Sequence, residues 1–199
     1  RDGRQRCKGG RRRGGWAVNV AKNAQMSVQM NVLGVTGWSG AGKTTLLTKL
    51  IPNLTGRGLK VSTVKHAHHT FDVDKPGKDS HRHREAGATE VLIGSGARWA
   101  LMHENRDEPD PGLAALLAHM SPVDLILVEG FKAEGHKKLE VHRQGLDKPL
   151  LCRNDRSFIG LAANYCPDGP ELPVPLLDLD DVHAVADFVI EFCRSEGPA

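Results

Sequence analysis

No apolar run in the 199 residues approaches the roughly 18 needed to cross a bilayer, so a membrane-spanning chain is not expected. The four cysteines, Cys7, Cys152, Cys166 and Cys193, form no Cys-x-x-Cys pair. That spacing argues against a zinc module or a disulfide framework and fits a reduced, cytoplasmic protein. No apolar core follows the N-terminal charges, as a signal peptide would require. No internal repeat is present. What remains, 39% hydrophobic and 26% charged residues, is ordinary for one globular domain with a sizeable core.

The net charge of +3 is unevenly spread. Residues 1–25 carry eight Lys/Arg and one Asp, whereas the remainder carries 19 basic and 23 acidic residues. All the excess basicity thus sits in a Gly/Arg-rich segment without apolar periodicity, which reads as a disordered tail. It could serve as a nucleic-acid arm. The preferred reading is plainer: the sequence starts with Arg, and Met26 and Met30 stand just before the first strand-like run. Residues 1–29 are therefore expected to be a tail or upstream, vector-derived sequence, residues 30–199 one nucleotide-binding domain, and nucleic acid no partner.

The informative stretch is Val32 to Ile51, which contains Gly37-x-x-x-x-Gly42-Lys43-Thr44. A short apolar run precedes it, and Leu46, Leu47, Leu50 and Ile51 follow at helical spacing, the strand–loop–helix context that a phosphate loop requires. Gly37, Gly40 and Gly42 allow backbone angles and approaches that a Cβ would block. The N–H groups of Gly37, Trp38, Ser39, Gly40, Ala41, Gly42, Lys43, Thr44 and Thr45 are the candidates for cradling phosphates at a helix N-terminus. Lys43 would reach the terminal phosphates and the Thr44 hydroxyl would ligate Mg²⁺. A ligand-free glycine turn is the alternative.

Further along, the pattern predicts a helix from Lys43 to Leu54, loosened by Pro52, and a strand Lys60–Lys65. A polar loop, 66–78, then leads to a helix Ser80–Ala88 capped by Asp79 or Ser80. Strands Glu90–Ile93 and Arg98–His103, a helix Pro111–Met120 and a strand Asp124–Glu129 follow. Shorter strands are read at Leu139–His142, Leu150–Arg153, Phe158–Ala163 and Val174–Leu177, and a closing helix at Asp181–Cys193. This alternation predicts an α/β phosphate-loop NTPase fold, a mainly parallel sheet with helices on both faces.

A phosphate loop needs a carboxylate at the end of a neighbouring buried strand. Leu125-Ile126-Leu127-Val128-Glu129-Gly130 supplies it, with Glu129 as metal ligand and catalytic acid and Gly130 passing close to the terminal phosphate. Asp124, about 17 Å away by strand rise, cannot share the role. In the polar loop, Asp72, Asp74 and Asp79 compete to hold Mg²⁺ or orient water. Asp72 is taken for the metal and Asp79 for catalysis, against hydrated-charge or helix-cap alternatives. Lys75 and Lys78 could meet phosphates. His66, His68, His69, His81 and His83 raise the question of zinc, but their spacing matches no standard site.

Together, Gly-Trp-Ser-Gly-Ala-Gly-Lys-Thr-Thr-Leu-Leu, Val-Lys-His-x-His-His, Asp-Val-Asp-Lys-Pro-Gly-Lys-Asp-Ser, Arg-Glu-Ala-Gly-Ala and Leu-Ile-Leu-Val-Glu-Gly-Phe-Lys resemble the molybdopterin-guanine dinucleotide biosynthesis protein B (MobB) family over roughly residues 30–193. The resemblance implies a homodimeric, GTP-binding accessory protein with weak GTPase activity. It would assist the MobA guanylyltransferase, which joins GMP to molybdopterin, and molybdopterin is a further candidate ligand. No Asn-Lys-x-Asp guanine motif is present. Asn164, ending the Phe158 strand, is the candidate base reader, with Asp178 and Asp180 as weaker choices. A small-molecule kinase or ATP-dependent ligase on the same scaffold is the competing enzyme reading, and it would need a defined acceptor pocket.

Overall fold

The computed structural model describes residues 30–67 and 71–196. The basic tail, Cys7, His68 and His69 lie outside the described residues. The elements run β1 (Asn31–Thr36), α1 (Lys43–Gly56), β2 (Val61–Lys65), α2 (Asp79–Glu85), β3 (Glu90–Gly94) and β4 (Trp99–His103). They continue with α3 (Leu113–Leu117), β5 (Leu125–Glu129), β6 (Lys138–His142), β7 (Phe158–Ala163), β8 (Leu176–Asp178) and α4 (Val182–Glu196).

Six strands form one sheet in the order β2-β5-β1-β6-β7-β8, every neighbouring pair parallel. The expected α/β architecture is therefore present. On one face α1 and α4 bury Leu46, Leu50, Leu54, Val185, Val189 and Phe192 against Leu33, Val35, Leu139 and Val141. On the other, Leu113 of α3 and Phe131 pack against Ile126 and Val128. Each fully buried Leu contributes about 1.5–3 kcal/mol relative to exposure, so the central strands are held from both sides. Among the described residues no helix is long and apolar enough to cross a membrane.

Several boundaries move for identifiable reasons. Pro52 lies inside α1, where it removes only the one helical bond that its N–H would make to the Thr48 carbonyl. α2 begins at Asp79 behind an extended Lys78, so neither Asp79 nor Ser80 is the cap, and no side chain bonds the cap position. Asp124 stays out of β5 because its carboxylate accepts the Lys60 N–H at 2.6 Å. Asp181 caps α4, accepting from the N–H groups of His183 and Ala184 at 3.1 and 3.0 Å. β3 and β4 form a separate antiparallel hairpin, because the short 95–98 turn can only reverse the chain.

The strand expected at Leu150–Arg153 is absent; this segment is turn. Its donors are taken by a side chain instead of a ladder. Glu140, fully buried on β6, accepts the N–H groups of Leu151 and Cys152, each at 2.8 Å. Burial, reinforced by this carboxylate, pushes the Cys152 thiol up to about 12. Along β6, Leu139 and Val141 enter the α1/α4 core, while the alternate Lys138, Glu140 and His142 are also buried. Lys138 donates to the Glu134 carbonyl and the Ser157 hydroxyl, both at 2.6 Å. His142 bridges the Lys148 carbonyl at 3.1 Å and the Tyr165 hydroxyl at 2.9 Å.

Removing Glu140 leaves two N–H groups without an acceptor. Glu140→Ala should lower stability by about 2–4 kcal/mol in urea unfolding, and Glu140→Gln by less because it keeps an acceptor. A loss within error for Glu140→Ala would show that the 150–153 turn does not depend on it.

Candidate functional site

Register brings the site together. Val35 lies opposite Glu129 and Thr36 opposite Glu140, so β5, β1 and β6 end near one level with the glycine loop between them. Lys65 closes β2 opposite Glu129. Glu129 consequently stands between two partners: the Thr44 hydroxyl donates to its Oε1 at 3.2 Å, and Lys65 Nζ is 3.7 Å from its Oε2. Thr44 and Glu129 are hard oxygen donors of the kind that hold Mg²⁺.

The loop itself is open toward the N-terminus of α1. Gly42, the cap residue, has φ 95°, no side chain bonds the cap, and the first turn holds no acid. Its leading N–H groups have no intrahelical acceptor and suit an anion. Ala41 is buried, with its N–H on the Trp38 carbonyl at 3.2 Å, whereas Ser39, Gly40 and Thr45 are exposed. Lys43 folds back, donating to the Gly37 and Trp38 carbonyls at 3.0 and 2.9 Å. Desolvation lowers its pKa, Glu129 opposes that shift, and Lys132 and Lys65 add to it. The Trp38 indole donates to the Pro149 carbonyl at 2.8 Å, with the Lys132 and Lys148 ammonium groups 5.1 and 5.7 Å from its ring.

Gly130 is needed for close passage. Its φ is 108°, and a Cβ there would stand 2.6 Å from the His66 Cβ. His66 donates its N–H to the Glu129 carbonyl at 2.8 Å, stacks on Phe131 at 4.5 Å and meets Asp110 at 3.2 Å.

The acids of the 66–78 loop are arranged differently from Glu129. Arg84 gathers Asp72 at 2.9 Å, Asp74 at 2.7 Å and Glu104 at 2.9 Å. Asp72, expected on the metal, is thus engaged by a guanidinium. Asp79 is exposed on the first turn of α2, and Lys75 and Lys78 are also exposed. His81 pairs with Glu85 one helical turn on, at 3.3 Å. Among the described residues no group of three or more His, Cys, Asp or Glu is arranged to hold a metal ion. Asn164 follows β7 and its Oδ1 accepts the Gln144 N–H at 2.9 Å, while Asp178 accepts the Asp180 N–H at 2.9 Å. Sequence reasoning missed Lys65, Lys132 and Arg84. For Lys65 the signal was available, since it ends its strand one position before the polar loop.

Residues 32–164 match the family model described as Molybdopterin guanine dinucleotide synthesis protein B. The chain belongs to the MobB family. It is 47% identical over 169 residues to an Escherichia coli (strain K12) protein named molybdopterin-guanine dinucleotide biosynthesis adapter protein, covering 83% of this chain and 94% of that one. A Haemophilus influenzae protein of the same name is 44% identical over 167 residues, covering 82% and 90%. Among solved structures, a MobB homolog from Bacillus stearothermophilus superposes with TM-score 0.63 at 27% identity, over 84% of this chain and 100% of that one. A crystal structure of molybdopterin-guanine biosynthesis protein B gives 0.64 at 27% identity, over 82% and 99%. The part of this MobB chain that the family model matches contains the glycine loop, Glu129, the Arg84 cluster and Asn164.

Arg84 hydrogen-bonded to Asp74 holds that carboxyl below the usual carboxylate range. The sign follows: a depressed folded pKa stabilises above the unfolded value and is lost as pH falls through the folded one. Arg84→Met should therefore open residues 71–78 to protease at neutral pH, at a rate about tenfold above wild type. In wild type the same opening should develop only below about pH 4. Equal cleavage rates at neutral pH would show that Arg84 does not hold this segment.

Proposed function

We propose that the chain is a GTP-binding adapter in the formation of molybdopterin guanine dinucleotide, with slow Mg²⁺-dependent GTP hydrolysis, acting beside a MobA-type guanylyltransferase in the cytoplasm. The observation that carries the reading is the contact between Thr44 and Glu129 across an uncapped helix N-terminus, in a chain whose relatives carry the adapter name. Mg²⁺, when bound, would supply positive charge to offset that of the phosphates. Thr44 and Glu129 would hold it, directly or through water. The N–H groups of the Gly37–Thr45 loop would hold phosphate oxygens, and Lys43 would exchange the Gly37 and Trp38 carbonyls for them. Glu129 is the carboxylate joined to the loop, whereas Asp72 is occupied and Asp79 lies exposed on α2. With Glu129 serving Mg²⁺, neither Asp72, held by Arg84, nor Asp79, on α2, would be placed to activate the attacking water, which supports slow turnover.

For the base, Asn164 spends its oxygen on Gln144 and keeps an –NH₂ donor. A donor suits the guanine carbonyl and opposes the adenine amine, so it favours GTP. Lys65, Lys132 and Lys148 near the loop mouth suit a second anionic ligand, for which molybdopterin is the proposal. A homodimer is supported by the hairpin, where Leu92, Ile93, Trp99 and Leu101 are exposed apolar side chains.

Calorimetric titration of the full chain with GTP and ATP tests this reading. Lys43→Ala should weaken GTP at least about tenfold, the loss of a charge-assisted phosphate contact, while the melting temperature holds. Undiminished GTP binding by the folded variant would refute the loop assignment. Glu129→Gln keeps size but removes charge: hydrolysis should fall steeply, while GTP affinity in EDTA stays within about twofold of wild type. Unchanged turnover in Mg²⁺ would reduce Glu129 to a strand-end carboxylate.

A further inference from the structure

Arg143 follows directly after β6, at the edge where the glycine loop lies. Its guanidinium packs on that loop: a Cβ built on Gly42 would stand 2.7 Å from its Nε and 3.4 Å from its Cζ and Nη2. The Nε is buried and has no hydrogen-bond partner among the described residues. No carboxylate among them pairs with the side chain either. Three other arginines differ. Arg57 pairs with Asp187, Arg84 with three carboxylates, and Arg153 donates to the carbonyls of Pro170 and Asp168.

A half-buried guanidinium without an anion is costly, because its desolvation is not offset by pairing. Packing of the aliphatic stem would account for burial of the carbons, with the head group left in water. It does not account for Nε facing the loop. The place supplies a better reason: Gly42 caps α1 with φ 95°, so the guanidinium borders the first-turn N–H groups assigned above to phosphate. Glu129 borders the same loop from β5, on the opposite side of β1. The planar fork of Arg, unlike an ammonium, can give two parallel bonds to a phosphate.

We propose that Arg143 is a phosphate-binding residue of this site, donating from the β6 side to the nucleotide held on the glycine loop, independently of the metal held on the β5 side. The proposal rests on the nucleotide reading of the preceding section. No bond forms or breaks at Arg143; its contribution is affinity and position.

The test uses the full chain as wild type, Arg143→Gln and Arg143→Lys, with GDP and GTP, each in Mg²⁺ and in EDTA. Melting temperatures without nucleotide are recorded alongside titrations. Arg143→Gln should melt no lower than wild type when free of ligand, since an unpaired charge has been removed. Its affinity for both nucleotides should fall about tenfold, with and without Mg²⁺. Arg143→Lys should fall between the two, keeping the charge and losing the fork. A lower ligand-free melting temperature with unchanged affinity would make Arg143 a structural prop and overturn the proposal. A loss confined to Mg²⁺ conditions would overturn it as well, by making the residue part of the metal's shell. Failure of the wild type to bind either nucleotide would instead overturn the proposed function, and this inference with it.

Discussion

Everything at the candidate site depends on parallel pairing of β1 with both β5 and β6. A parallel ladder makes neighbouring strands end on the same edge, and buried strands can afford no slip without turning their apolar faces to water. Leu33 and Val35 bury on one side of β1, so its register with Leu127, Glu129 and Leu139 is fixed by packing. Glu129 and Arg143 then arrive at the loop as strand-end residues. Neither needs a loop of its own to be aimed. A site carried on strand ends is positioned by the core itself, which is why core and chemistry cannot be mutated independently here.

The second organising feature is the polar face of β6. Lys138, Glu140 and His142 are buried on a central strand where apolar residues would be the simpler choice. Each binds a different returning segment: Lys138 the 134 and 157 turns, Glu140 the 151–152 turn, His142 the segment at 148. The strand therefore serves as a rack on which irregular chain is hung. Apolar side chains could fill the volume but could not satisfy these turn donors and acceptors, of which the Cys152 N–H is buried.

The glycine loop, the flanking strand and helix, and the Leu-Ile-Leu-Val-Glu strand were legible because their signals are local: residue type, period and spacing. What was not legible is contact between distant segments. Lys-Leu-Glu-Val-His reads as a strand with one solvent face, and nothing local reveals that this face is covered. Leu150–Arg153 has strand-like composition, yet its N–H groups find the Glu140 carboxylate eleven and twelve residues back. Asp72 and Asp74 look like free loop acids until Arg84 is seen between them. Asn164 was correctly placed at a strand end, but that its oxygen would be taken by Gln144 depends on how two loops meet. In each case the fold supplies a partner, carboxylate, guanidinium or backbone N–H, that residue type and spacing alone do not announce.

Arg84 has a consequence of another kind. It joins Asp72, Asp74 and Glu104, residues separated by up to 32 positions, and so acts as a non-covalent cross-link in a chain whose described cysteines are free. A cross-link shortens the loops the unfastened chain would have to close, and closure entropy grows only with the logarithm of loop length. Most of its benefit therefore lies in fixing the 71–78 segment at all, with little gained from the span it bridges. Unlike a disulfide, this tether is indifferent to redox state and responds to ions. Its Asp72 arm, 60% exposed, is open to screening by salt, while its Asp74 arm, 3% exposed, is screened much less. The 71–78 segment can thus relax by one arm while remaining anchored by the other.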